Sequence, residues 1–290
     1  MDREGAPLMT RWHAMRALAY LVLAGGVVLY LGPFVIQVVT SFKTDADATA
    51  NPVSLVPDPV TLDAWRTVAG KNPAVRSPVD RWLANSFIVT ISVTLGRVAL
   101  ASLAGYALAR LRFPGRRVVS AGLIAVIAVP GIVLLIPKFL VLQQLNLFDT
   151  YAGMIVPLLA DVGSILLMKA AFEAVPYELE EAAIIDGAGV FARFWQVVLP
   201  LTVPALITVV ILSFQGSWNE FTHFLVATSD PDKATLNLGI ARLTAGGLSQ
   251  GSQFPLKLAL ATLSTLPIAI VYVFFSRYFT RSVASTGVKG

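Results

Sequence analysis

The sequence predicts an all-α integral membrane protein with six transmembrane helices and both termini in the cytoplasm. Three observations lead there. The 290-residue chain is 56% hydrophobic and only 13% charged, with mean hydropathy +0.73. An ordinary soluble domain is about 25% charged, and a chain of this size in water needs a polar skin that these charges are too few to supply. Charge-free runs recur at 17–42, 118–137, 194–219 and 258–276, and about 20 apolar residues suffice to cross a bilayer as a helix. Between the runs the basic residues border apolar blocks, which is how membrane topology is written.

Taken in order, residues 1–16 form a cytoplasmic N-terminus and 17–41 the first span. Its apolar core is too long for a cleavable leader and continues through Leu29, Phe34 and Val39. The second span, 85–109, carries a single charge, Arg97. The third is expected at 118–141. The fourth, 151–170, carries Asp161; the fifth and sixth follow at 201–225 and 258–277. The blocks do not alternate polar and apolar, so a barrel is excluded. Pro130, Pro137, Pro157 and Pro204 lie within or beside spans and are expected to kink them.

The loop after the second span holds Arg110, Arg112, Arg116 and Arg117 with no acid, which places it inside. Arg3, Arg11 and Arg16 at one end, and Arg277, Arg281 and Lys289 at the other, agree with this for six spans. The outer loops are then 43–84, about 142–150 and 228–257. The first of these is neutral and rich in Pro and Asp, as a solvated loop should be.

Composition also narrows the chemistry. With no cysteine there is no disulfide, thiolate site or cysteine nucleophile, and two histidines, His13 and His223, argue against a metal site. The net charge of +5 is scattered between apolar blocks, so nucleic acid is not an expected partner. No G-x-x-x-x-G-K-[ST] loop occurs, so ATP is not bound by that route. Asp161, Glu220 and His223 are the acid–base groups in or near the spans, and they form no recognisable catalytic spacing. The chain is not expected to be an enzyme or to bind a cofactor.

The most informative stretch is 174–200, between the fourth and fifth spans. Pro176 and then Glu178, Glu180 and Glu181 suit a helix start. Leu179, Ala182, Ala183 and Ile185 continue a short helix, and Gly187 and Gly189 end or bend it. Phe191, Phe194, Trp195 and Val198 recur at i, i+3, i+4, i+7, the spacing of one amphipathic face. A short helix with a small-residue face can insert into a cleft of another protein; a helix lying on the lipid surface has the same pattern.

The segment resembles the EAA signature of binding-protein-dependent ABC importer permeases: E-A-A, three residues, G, nine residues, then I-x-L-P. Glu181-Ala182-Ala183, Gly187 and Leu199-Pro200 match at that spacing, with Val197 in place of the usual Ile. Asp186-Gly187-Ala188 resembles the sugar-uptake branch, as do Tyr106 to Arg110 with Phe113-Pro114-Gly115-Arg116, and Trp218-Asn219-Glu220-Phe221. The end, Gly287-Val288-Lys289-Gly290, is similar to the second permease subunit of maltose-type importers. The resemblance implies the type I ABC importer transmembrane fold. It implies that Glu181, Ala182, Ala183, Asp186, Gly187 and Ala188 couple to a separate ATPase, and that the four C-terminal residues touch that ATPase. The implied partners are a second permease subunit, two ATPase subunits carrying ATP and magnesium, an extracytoplasmic solute-binding protein and membrane lipid. The implied place is the inner membrane of a bacterium.

Polar residues within the spans are costly and often functional. Thr208, Gln215, Asn219 and His223 are spaced to share one helical stripe, which either lines the substrate pathway or bonds to neighbouring helices. Trp218 and Glu220 adjoin it; Trp218 either stacks on a sugar or belongs to the aromatic belt. Arg97 and Asp161 sit at similar inferred depth and either pair or face a wet cavity. The leading function is a sugar importer permease. Importers of amino acids, peptides or phosphate esters share its class, and the stripe has no basic cluster to favour phosphate. A secondary transporter would ordinarily show more spans and internal repeats.

Overall fold

The computed structural model of the chain describes residues 6–71, 78–247 and 253–286, all helix, turn or loop. It divides into two units: Met1–Ser77 with Thr244–Leu263, and Pro78–Leu243 with Ser264–Gly290.

The first unit opens with α1, Ala6–Thr40, which from Met15 onward is long and apolar enough to cross a membrane. Leu18, Leu21, Val28, Leu29 and Tyr30 are exposed, as they must be for a helix that meets lipid directly. Two short helices follow, α2 (Asp45–Ala50) and α3 (Asp63–Val68). The Thr44 hydroxyl caps α2 by accepting from the Asp47 N–H at 3.2 Å. Lys43 is buried, and its ammonium donates to the Asn51 carbonyl at 2.6 Å. The Asp58 N–H and the Asn51 amide both donate to the Asp47 carboxylate, and these bonds, with the Lys43 charge, hold it below the usual carboxylate range despite partial desolvation. Trp65 donates to the Ser41 hydroxyl at 3.1 Å. Gln37 donates to the Thr262 hydroxyl at 3.2 Å, a polar tie between apolar helices.

The second unit is built around α4, Val79–Arg110. Gly115, at φ +82°, turns the chain into α5, Arg116–Ile127. The expected third span is not one rod. After Pro130 the chain makes a 3₁₀ turn, Gly131–Leu134, and continues as α6, Leu135–Gln144, bent by 95°. The fourth span bends by 44° where α7, Tyr151–Ile155, passes through the Pro157 turn and Asp161 caps α8, Val162–Glu173. The short helix expected within 174–200 is α9, Glu178–Ile185. Next come α10 (Val190–Ala192), a π-helical stretch (Arg193–Val198) and α11 (Leu199–Leu201). An 82° bend at Thr202 leads into α12, Val203–Asn219, with Pro204 in its first turn. Then follow α13 (Thr222–Ala227), α14 (Leu236–Arg242) and, from Ser264 on, the rest of α15, Phe254–Thr286, whose start belongs to the first unit. Length and composition allow three unbroken spans, or six when each bent pair counts as one.

The prolines therefore act where expected at 130, 157 and 204. A tertiary amide donates no hydrogen bond and clashes with the preceding turn. The π-helical stretch corrects one expectation. Phe191, Phe194, Trp195 and Val198 do not form one face: Phe194 and Val198 are buried, while Phe191 and Trp195 stack in the open at 6.4 Å. A π turn is wider than an α turn, which moves the register of the apolar positions.

Helices α4 and α8 meet at Gly105, where a Cβ would stand 2.9 Å from the Lys169 nitrogen and from the Met168 Cβ. Gly239 of α14 lies against the Trp82 ring, 2.2 Å from where its Cβ would be. At this end of the unit Asp149 joins two loops. The Thr228 and Ser229 hydroxyls and the Ser229 and Asp230 N–H groups all donate to its carboxylate. Partial burial pushes the carboxyl up, but these bonds outweigh it and hold its pKa at about 2.

Candidate functional site

Helix α9 lasts two turns, and both ends follow from the residues present. Three acids occupy its first turn, favourable at the positive end of the helix dipole. At its other end the Gly187 N–H donates to the Ile184 carbonyl at 3.0 Å and the Ala188 N–H to the Ala183 carbonyl at 2.8 Å. This pair of bonds is a Schellman motif, and Gly187 stands at its left-handed position with φ +82°.

The inward side of α9 is anchored by Glu180, only 1% exposed. The Tyr106 hydroxyl donates to its Oε2 at 3.1 Å. Arg110 Nε approaches Oε1 at 3.0 Å, an ion pair whose N–H is not aligned for a hydrogen bond. Arg193 Nη1 lies 3.8 Å from Oε2. Arg110 also donates to the carbonyls of Phe172, in the last turn of α8, and of Val175, just beyond it, and stands 5.7 Å over the Tyr177 ring. Tyr106, Phe172 and Phe194 pack edge to face or tilted within the apolar core beneath. Glu180 thus ties the short helix to α4, to the end of α8 and to the stretch leading into α12.

The outward side is different. Glu181, Ala182, Asp186 and Gly187 are exposed, and Ala183 and Ala188 are half-buried. Leu179, Ile184 and Ile185 are open apolar residues among them, Ile185 being 86% exposed. The structure therefore brings the six expected coupling residues to one surface. Glu180 is the residue that sequence reasoning missed. Nothing in the sequence separates it from Glu178 and Glu181, since all three acids fall in the same first turn.

The polar stripe of the fifth span divides. Helix α12 stops at Asn219, and Glu220 accepts from the His223 N–H at 2.7 Å to begin α13. His223 therefore leaves the stripe. It is 2% exposed, with Nε2 3.1 Å from the Gly153 carbonyl. Trp218 is buried too, stacked on Phe214, with its N–H on the Ser264 carbonyl at 3.0 Å. Neither side chain is open to a solute, so the reading of Trp218 as a sugar platform is withdrawn. Thr208 bonds back to the Pro204 carbonyl. Gln215 and Asn219 remain exposed and Glu220 part-exposed. Arg97 and Asp161 form no ion pair with each other. Arg97 donates to the Leu158 carbonyl, and Asp161 accepts from the Ser164 N–H at 2.7 Å. Among the described residues no cluster of acids and histidines could hold a metal. Gly287, Val288, Lys289 and Gly290 lie outside the described residues.

A bundle of broken spans with an outward-facing short helix defines a class of transport subunit, and comparison with known proteins agrees. Residues 98–285 match the family described as the binding-protein-dependent transport system inner membrane component, and the chain belongs to it. It is an inner-membrane permease subunit of an ABC importer, a complex with other subunits. It is 30% identical to the sn-glycerol-3-phosphate transport system permease protein UgpE of Yersinia pestis, over 92% of this chain and 95% of that protein. It is 36% identical to the putative ABC transporter permease protein ORF2 of a Caldicellulosiruptor species, over 89% and 91%. With the sulfoquinovosyl glycerol transport system permease protein SmoH of Agrobacterium fabrum it shares 30% over 98% of each chain. Its fold matches a chain of a bacterial ABC transporter that imports the acidic polysaccharide alginate. That match has a TM-score of 0.78 and 24% identity, covering 96% of this chain and all of that one.

Proposed function

We propose that the chain forms half of the translocation pathway of a sugar or polyol importer, with α9 as the element through which a separate ATPase drives it. The observation that carries this reading is the two-sidedness of α9. Its buried acid fixes it to the spans, and its opposite side leaves small and apolar residues uncovered. The Arg110–Arg117 loop and both termini then lie inside. A pair of ATPase subunits holding ATP and magnesium grips Glu181, Ala182, Ala183, Asp186, Gly187 and Ala188. Because Glu180 contacts Arg110 and Arg193, a pull on α9 is passed to the ends of α4 and of the π-helical stretch before α12. A second, different permease completes the pathway, and a solute-binding protein outside delivers the solute. The tail residues Gly287 to Gly290 reach the ATPase pair.

Copurification tests this. An affinity-tagged chain expressed with its neighbouring transport genes should bring down an ATPase and a second permease in stoichiometric amounts. A chain that purifies alone and transports unaided in liposomes would contradict the proposal.

A further inference from the structure

Charged side chains distant in sequence come together within the membrane-spanning part of the second unit. Arg97 of α4 is half-buried, and its Nε donates to the Leu158 carbonyl at the bend of the fourth span. Its Nη1 lies 3.5 Å from where a Cβ on Gly216 of α12 would stand. Asp161 follows three residues after Leu158 and Glu220 four after Gly216, and the charge of each acts on the same guanidinium. No ion pair closes between them. One oxygen of each carboxylate is used locally, by Ser164 and by the His223 N–H. The guanidinium keeps its Nη donors, and each carboxylate keeps an acceptor oxygen. The adjoining surface of α12 is exposed at Gln215, Gly216 and Asn219. Charges at this depth do not face lipid; they face water or other polar groups.

We propose that Arg97, Asp161, Gln215, Asn219 and Glu220 form a hydrogen-bonding station on the pathway wall for an uncharged, polyhydroxylated solute. It rests on the reading of the fifth span as pathway wall and narrows the solute class. A hydroxyl donates and accepts at once, so it can use a guanidinium N–H and a carboxylate oxygen together. A phosphate or sulfonate accepts only, and it would meet two carboxylates against one guanidinium. The group's net charge of −1 repels it.

The chain has no cysteine, so a cysteine placed in it is the one labelled thiol on this subunit, read after separating the subunits. The test uses the whole importer complex in nanodiscs, with Asn219→Cys and, as a buried control, Ser213→Cys. The probes are a cationic and an anionic methanethiosulfonate of similar size. Asn219→Cys should react about tenfold faster than the control, with the cationic reagent favoured, since a charged cleft concentrates its counter-ion. Asp161→Asn with Glu220→Gln should abolish that preference, and Arg97→Gln should strengthen it several-fold. Labelling no faster than the control would mean that the cluster is packed between helices or against the second subunit. A preference for the anionic reagent would overturn the uncharged-solute assignment. If the unlabelled complex still hydrolyses ATP in response to loaded binding protein, the permease reading stands and only this proposal falls.

Discussion

Glu180 faces two guanidinium groups, Arg110 and Arg193, from a position closed to water. Removing one member of a buried charge group leaves the rest uncompensated, at about 3–5 kcal/mol. Glu180→Ala should therefore lower the thermal midpoint of the purified complex sharply, while Glu178→Ala, two residues earlier and exposed, leaves it unchanged. Equal midpoints for the two would show that the anchor is not at position 180. Asp149 makes a prediction of the opposite kind, about acid. Its folded pKa, about 2, lies below its unfolded value of about 3.9. The stability it contributes is complete above about pH 4 and is lost as pH falls from there toward 2. Exchange protection at the Ser229 and Asp230 amides should be flat from pH 7 to 5 and fall only below about 4, and Asp149→Asn should remove it at neutral pH. At this scale the sequence was legible where spacing alone decides, as with Gly187, whose left-handed turn follows from a glycine just past a short helix. It was not legible for Glu180 against Glu181, because neighbouring acids look alike until the helix is packed. Nor was it for Trp218 and His223, whose inward turn depends on where α12 stops.

Single elements follow from close contacts. Helices α4 and α8 approach until only a hydrogen fits at Gly105. Gly105→Leu should force them apart and cut the yield of folded subunit, whereas Gly122→Leu, with open space around it, should not; similar yields would mean that this contact does not hold the helices. All six apolar segments were readable as runs, because burying apolar residues in lipid needs only length and composition. The bends were half readable. Prolines at 130, 157 and 204 mark where the spans break, but the 95° and 82° angles depend on what packs beside each break. The mismatch at Phe191 to Val198 has the same cause, since α-helical spacing cannot foresee a π turn.

For the whole molecule, family and fold were readable from one 20-residue signature together with the apolar runs, and orientation rests on the arginine-rich loop. With no native cysteine, a cysteine at position 115 should resist an impermeant thiol reagent in intact cells and one at position 240 should react; the reverse would invert the topology. The central claim is that α9 couples the membrane part to an ATPase. Ala183→Leu enlarges a small side chain on its outer surface, and Gly187→Val forces a branched residue into a left-handed turn, a strain of about 1–2 kcal/mol. Neither touches a span. The most direct measurement is uptake and ATPase recovery, in the same membranes, for Ala183→Leu against the unaltered chain. The predicted result is normal insertion and normal pairing with the second permease, with the ATPase weakly held and uptake collapsed. Unchanged uptake and ATPase recovery would contradict the account, because a helix merely lying on lipid gains from added apolar area.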